Sequence, residues 1–299
     1  MPKRSARGTT STYNAIASYQ TALLSYSIVI PAFNEEALLP ECLASFGRQD
    51  FVGKVEIIVV DNNSTDRTAP IAAEHGARVI FEPVPGVCAA RQSGTAYATG
   101  DIVISADADT TYPATWLSTI DRSFRADPAI VAVAGPAHWV QAPRWGRMYE
   151  RLLFGLISLV FQMTGRVYYI SAANVAFRRS VWSGYDTALT QGGDELDLLR
   201  NLRRAGQVIF LLDNPALTSP RRMNRGLFYN LFVTAFYYYL LGYALNRLTG
   251  RQVLGMAPSF RENHKVKRNP LRRSSHNAVK ILMIALGVSA TMFALLAVL

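Results

Sequence analysis

Short apolar runs alternate with amphipathic stretches along the first two thirds of the chain, and most of the runs stop at a polar residue. Ile28 to Ile30 predicts a strand that Pro31 ends, because proline cannot donate to a central ladder. Asn34 suits the cap of a helix running to about Phe46, with Glu35 and Glu36 in its first turn, where acids are favoured. Val55 to Val60 predicts a second strand, followed by Asp61-Asn-Asn-Ser-Thr-Asp66 and a helix to about His75 that Gly76 stops. Val79 to Phe81 predicts a third strand, and Gly86 to Tyr97 a helix with Arg91 a turn or so inside it. Ile102 to Ile104 predicts a fourth strand, running directly toward Asp107 and Asp109. Strand and helix alternating at such short intervals imply an α/β fold with a parallel sheet, whose ligands bind at the carboxyl ends of strands. Pro31, Asp61, Asp107 and Asp109 all fall at such ends.

Further along, Pro113 to Ala126 predicts a helix, Ile130 to Ala134 a strand and Val208 to Leu212 a last strand. The stretch 144–165 is amphipathic at first and then apolar for about thirteen residues, too few to span a bilayer, so it reads as a core helix or an interfacial one. Gly226 to Asn246 carries no charge but five tyrosines, the residue of the membrane interface, and is expected to lie in that interface; a bilayer hairpin with the last segment is the second choice. Ala278 to Leu299 has one charge, Lys280, and at about 1.5 Å per residue reaches roughly 33 Å, the depth of a hydrocarbon core, so it is expected to span. These segments divide the chain into a mobile basic tail (1–24), an α/β domain (25–222), an interfacial helix with a basic linker (223–277) and a transmembrane helix (278–299).

Charge sharpens this division. The net charge of +10 admits nucleic acid, an anionic membrane or an anionic substrate as partner. Between Arg247 and Lys280 nine Lys or Arg stand against one acid, Glu262, beside apolar segments and without an RNA- or DNA-binding motif. A membrane is therefore favoured, with this run on the cytoplasmic side, and nucleic acid is not. Two cysteines, Cys42 and Cys88, make no disulfide framework, which fits a reducing compartment. The four histidines show no metal-ligand spacing.

Two acidic constellations are candidates for chemistry. Asp107 and Asp109 can turn toward one ligand as pairing stops, one holding a divalent cation through hard oxygen and the other a sugar hydroxyl; capping a turn is the plainer role. Asp194 and Glu195 follow two glycines and precede a helix ending at Gly206, where acids are also expected on structural grounds. Arg221 and Arg222 could clamp a diphosphate or rest on lipid phosphate.

IVIPAFNEE, VVDNNSTD, GxxxARxxGxxxATGD and SADAD, in that order, resemble the nucleotide-sugar half of family 2 glycosyltransferases of the GT-A fold, over about Ser27 to Gly206. The resemblance implies a mostly parallel, Rossmann-like sheet flanked by helices and a nucleoside diphosphate-sugar donor. It implies Pro31, Phe33 and Glu35 around base and ribose, Asp61 on the base, Asp107 toward the ribose and metal, and Asp109 on Mg²⁺ or Mn²⁺. Arg91 matches the basic residue of the family pattern, as a diphosphate contact or a structural ion pair, with Gln92 in place of the usual Asn. Asn62 stands where a second acid is usual. The stretch from Tyr169 to Arg179 resembles the acceptor-side lining, with Asn174 as ligand contact or turn residue. The family's base comes from a Glu-Asp pair; here the order is reversed, and Glu195 is preferred over Asp194. The Gln-x-x-Arg-Trp signature of processive synthases is not present.

The expectation is thus a metal-dependent, inverting glycosyltransferase acting on a lipid or lipid-linked hydroxyl at the cytosolic membrane face. Transfer to a polyprenyl phosphate is the alternative within the class. A catalytically silent membrane scaffold is the alternative outside it.

Overall fold

The computed structural model describes residues 23–187 and 193–229, together with 232, 233, 237 and 241–249. Its centre is a seven-stranded sheet in the order β3-β2-β1-β4-β8-β6-β9. These strands are β1 (Tyr26–Ala32), β2 (Val55–Asp61), β3 (Arg78–Phe81), β4 (Ile102–Ser105), β6 (Ile130–Ala134), β8 (Val175–Arg178) and β9 (Gln207–Phe210). All run parallel except β8, which lies antiparallel between β4 and β6. A second sheet of three short strands, β5 (Thr110–Thr111), β10 (Ala216–Thr218) and β7 (Ala137–Trp139), is ordered β5-β10-β7.

Helices cover both faces of the large sheet, which is why its strands are apolar almost throughout. Ile28 and Ile30 of β1 join one core with Leu39 and Phe46 of α1 (Leu39–Gly47), Ala72 of α2 (Thr68–Glu74) and Trp116 and Phe124 of α4 (Trp116–Ala126). Val29, between those isoleucines, faces the opposite core. There it meets α3 (Val87–Tyr97), Leu153 and Phe154 of α5 (Arg144–Thr164) and Leu199 and Leu202 of α6 (Leu198–Ala205). Helix α3 lies close on β1 and β2: a Cβ at Gly94 would fall 2.4 Å from Val29 Cγ1 and 2.7 Å from Val60 Cγ2.

Several local expectations change. Pro31 does not end β1, which continues to Ala32 with Pro31 beside Val60. The odd residues of β1 bond toward β4, as Ala106 N–H does to Val29 O, and the even ones toward β2, as Asn62 N–H does to Ala32 O. Pro31 therefore faces β4 just past Val29 and Ser105, where that pairing stops, and its missing donor costs no ladder bond. Asn34 does not cap a helix; α1 begins four residues after Glu35, and Asn34 takes a left-handed φ of 52°. The predicted last strand is followed by β10, and β8 stands where the sequence showed only a stretch of small residues.

Helix α5 packs as a core helix along one side and leaves apolar side chains exposed on another. Leu153, Phe154 and Ile157 enter the core, while Met148, Leu159 and Met163 are exposed. Among the described residues no helix is long and apolar enough to cross a membrane. The basic tail through residue 22, most of the basic run and the expected span at 278–299 lie outside the described residues, and 226–246 is described only in part, with a helical turn at Gly226–Phe228 and α7 at Gly242–Thr249.

Glu56 ties three parts of this sheet together. It accepts hydrogen bonds from Ser27 Oγ at 2.5 Å, Thr99 N at 2.6 Å and Thr99 Oγ1 at 2.7 Å. Burial alone would raise its pKa, but the bonds from Ser27, Thr99 and Gly100 overcome this and lower it. Stability from a carboxylate with a lowered folded pKa is present above its unfolded value, about 4.3 for Glu, and is lost as pH falls through the folded value. Glu56→Gln is therefore expected to cost about 1–2 kcal/mol at neutral pH. In urea titrations the gap between the variant and the wild type should close as pH drops below about 4.

Candidate functional site

The site is built at the carboxyl edge of β1, β2 and β4, where the first two strands release loops that are bonded to each other. Asn34 N–H donates to Ser64 Oγ at 2.9 Å, and Asn34 Oδ1 accepts Thr65 N–H at 2.8 Å. Glu35 N–H donates to Thr68 Oγ1 at 2.8 Å. Glu36 N–H donates to Asp66 Oδ2, and Glu36 Oε2 accepts Arg67 N–H, both at 3.1 Å. Within this frame Pro31 is buried, Phe33 is half-buried and Asp61 is buried, accepting Ser64 N–H at 3.1 Å.

Asn62, beside Asp61, is a clip. Its amide donates to the carbonyls of Glu82 at 2.8 Å and Val84 at 2.7 Å, while its oxygen accepts Gly86 N–H at 2.7 Å. That fixes the approach to α3, whose Arg91 is buried. Arg91 Nε donates to Ser105 Oγ at 2.9 Å and Nη2 to Asp107 Oδ1 at 2.5 Å. Of the two roles open to Arg91, the structure displays the ion pair. Gln92 accepts Tyr185 N–H at 2.7 Å and so ties α3 to the segment leading toward the second acidic cluster.

Asp109 is reached from the other end of the chain. The residues after it form β5, which pairs antiparallel with β10, Thr110 opposite Thr218. Ser219 N–H then donates to Asp109 O at 3.0 Å, and the 3-10 turn Pro220–Arg225 begins beside it. From that turn Arg221 Nη2 donates to both Asp109 Oδ2 at 2.8 Å and Glu35 Oε1 at 3.0 Å. Burial opposes the charge on Arg221, but the two carboxylates outweigh it and raise its pKa. The sequence marked Arg221 only as a phosphate clamp; its bond to acids 112 and 186 positions away depends on a strand pair too short to leave a periodic signal.

A hydroxyl relay joins the Asp107 segment to the acceptor-side stretch. Asp107 N–H donates to Tyr112 Oη at 3.3 Å, and Tyr112 donates to Ala173 O at 2.9 Å. One residue back, Ala172 N–H donates to Glu195 Oε1 at 2.9 Å. The carboxylate of Glu195 is thereby held two residues from Asn174; the side chain of Asp194 lies outside what the structure describes. The segment Gly193–Asp197 packs against α3. Asp197, in the same acidic stretch, has its pKa raised by burial and by Asp186, against the pull of Arg200, Asn201 and Arg204.

Asn174 is a structural hub. It accepts Trp116 Nε1–H at 2.9 Å and donates to Pro136 O at 2.9 Å and Asn214 O at 2.8 Å. Cys42 and Cys88 are both free and buried, and burial raises the Cys42 pKa, with Asp109 and Asp107 adding to the effect.

A divalent cation fits this edge as a companion of a ligand's phosphates. Asp109 offers a hard carboxylate whose side chain is 21% exposed, with Oδ1 accepting a long 3.4 Å contact from the Thr110 hydroxyl. Among the described residues no group of three or more His, Cys, Asp and Glu converges, so no all-protein cage exists there. One or two carboxylates completed by phosphate and water oxygens is the usual arrangement for Mg²⁺.

Comparison with known proteins bears on the family and the fold. The model of Glycosyl transferase family 2 matches residues 27–184. An uncharacterized glycosyltransferase of Mycobacterium tuberculosis is 46% identical over 83 residues, covering 28% of this chain and 36% of that relative. The chain thus matches only about a third of that relative's length. A 4,4'-diaponeurosporenoate glycosyltransferase of Staphylococcus haemolyticus is 42% identical over 92 residues, 28% of this chain and 24% of the relative. Among solved structures, glucosyl-3-phosphoglycerate synthase from M. tuberculosis, in complex with Mn²⁺, uridine-diphosphate-glucose and phosphoglyceric acid, shares the fold. Its TM-score is 0.54 at 20% identity, covering 83% of this chain and 86% of that one.

Asn62→Asp, which restores the more usual acid, would turn a carboxylate toward the Glu82 and Val84 carbonyls. It is expected to lose about 2–3 kcal/mol in chemical denaturation, without any gain in nucleotide affinity by calorimetry.

Proposed function

Because the chain belongs to glycosyl transferase family 2, we propose that it moves a sugar from a uridine diphosphate-sugar to a lipid or lipid-linked hydroxyl at the cytosolic face of a membrane, with inversion at the anomeric carbon. The observation that carries this reading is the Arg221 bridge between Glu35, on the loop after β1, and Asp109, beyond β4, with Asp61 and the Arg91-paired Asp107 at the ends of neighbouring strands of the same sheet edge. Uridine is favoured by the ligands of the solved synthase that shares the fold. A membrane acceptor is favoured by the exposed Met148, Leu159 and Met163 on α5 and by the basic run between Arg247 and Lys280.

In this reading Pro31, Phe33, Glu35 and Asp61 line the base and ribose, on loops already bonded to each other. Arg91 holds Asp107 so that its second oxygen can meet a ribose hydroxyl. Asp109, with Asp107 nearby in sequence, would hold Mg²⁺ or Mn²⁺. The bound ion supplies electrostatic stabilisation of the departing diphosphate. Glu195 takes the proton of the acceptor hydroxyl as that oxygen attacks the sugar carbon, and Ala172 N–H keeps its carboxylate oriented. Asp194 is the second candidate for that base.

The test is sugar release and transfer by the full chain in detergent, over UDP-, GDP- and dTDP-sugars, with Mn²⁺ or EDTA and with a membrane lipid extract. Release that needs the metal and rises with the extract is expected for UDP-sugars. A folded protein that neither binds nor cleaves any of these donors would sink the proposal. Asp109→Asn is expected to lower kcat/KM by about 10²-fold or more, with thermal stability little changed. Glu195→Gln is expected to lower transfer to a hydroxyl acceptor by about 10²–10⁴-fold. A phosphate acceptor, already ionised, needs no base, so an enzyme left unimpaired by Glu195→Gln and Asp194→Asn together would point to polyprenyl phosphate instead.

A further inference from the structure

We propose that Arg221 is a resident cation of the site: its guanidinium holds the acids that a divalent ion would otherwise occupy, and it yields Asp109 only when a diphosphate arrives. This rests on the donor reading above. A single nitrogen, Nη2, donates to both Asp109 Oδ2 and Glu35 Oε1. Glu35's side chain is only 3% exposed, so its charge needs compensation whether or not a ligand is present. Arg221 supplies that compensation to the protein as folded.

The geometry lets the side chain move while its backbone stays. Ser219 N–H is bonded to Asp109 O on one side of Arg221, and Met223 is buried on the other. The Arg221 side chain itself is 27% exposed. A rotation about its own bonds, without opening the turn, is enough to release Asp109.

Hydration sets which cation wins. A guanidinium is weakly hydrated, whereas Mg²⁺ gives up water reluctantly. Without a ligand, the arginine therefore keeps Asp109. A diphosphate changes the balance, because its oxygens offer the metal further ligands and offer Arg221 a planar, bidentate partner. Metal and nucleotide then favour each other, and by linkage the favour is reciprocal.

The experiment measures Mn²⁺ alone by electron paramagnetic resonance, then UDP in EDTA by calorimetry, on the full chain in detergent. Wild type, Arg221→Met and Arg221→Lys are compared after thermal melts establish that each is folded. Without nucleotide, Arg221→Met is expected to bind Mn²⁺ about 10-fold more tightly than wild type, and adding Asp109→Asn should remove that gain. Arg221→Lys, which keeps a charge but loses the fork, should fall between the two. In EDTA, Arg221→Met should bind UDP about 10-fold more weakly. Folded Met and Lys variants that bind Mn²⁺ no better than wild type would overturn the proposal. The metal-only arm contains no nucleotide and so reports on Arg221 whatever the donor is. Absence of UDP binding by wild type, with and without Mn²⁺, would count against the proposed donor.

Discussion

Gathering carboxylates at the end of a parallel sheet is costly, because an acid drawn out of water without a partner destabilises a fold by several kcal/mol. This chain meets that cost in three ways. Asp61 accepts a backbone N–H three residues on. Asp107 is paired with Arg91, sixteen positions back, on the helix that crosses from β3 to β4. Glu35 and Asp109 share Arg221, which comes from beyond the large sheet. The first two solutions need only local chain. The third needs the small sheet, whose β5 grows from the residues just after Asp109 and whose β10 delivers the arginine turn.

The same hierarchy explains what the sequence makes legible. β1, β4 and β6, and the last four residues of β2, are short and mostly apolar runs buried on both faces, so composition marks them, and the alternation of strand and helix implies the parallel sheet. The acids at strand ends follow from that topology, and four motifs in order carry the family resemblance. What escapes is set by partners distant in sequence. Strands of two or three residues, such as β5, β7 and β10, are too short to show a period of two. Asn34 has the residue type of a helix cap, but its partners, Ser64 and Thr65, lie 30 and 31 positions away. Asn174 looks like a ligand contact until Trp116, Pro136 and Asn214 are seen around it. Arg91 has a diphosphate role in prospect from its motif, yet only the fold reveals that Asp107 already engages it.

The two halves of the site differ in how firmly they are held. The loops after β1 and β2 are joined by backbone and short side-chain bonds at Asn34, Glu35 and Glu36, an arrangement with little rotamer freedom left to lose when a flat base settles on it. Charge, by contrast, is managed by long side chains: Arg91, buried and held through Nε and Nη2, and Arg221, partly open to solvent. Recognition of a nucleoside would draw on the rigid half, and handling of phosphate on the adjustable half.

Charge balance then bears on how a donor enters. Of the groups assigned to the proposed donor site, four acids, Glu35, Asp61, Asp107 and Asp109, stand with two arginines, Arg91 and Arg221, an excess of two negative charges among these six. A nucleoside diphosphate brings more negative charge to the same place, and two unit charges about 4 Å apart repel by roughly 4 kcal/mol at the effective dielectric of a protein surface. Arg221 cannot relieve this alone, since moving it onto the phosphates uncovers the acids it leaves behind. In the proposed reading a divalent cation would carry the charge that is missing, drawn in most strongly when the diphosphate is present to share it. On the proposed donor reading, the acids of the fold would thus make metal and donor favour each other, with the arginine between Glu35 and Asp109 setting how much each gains.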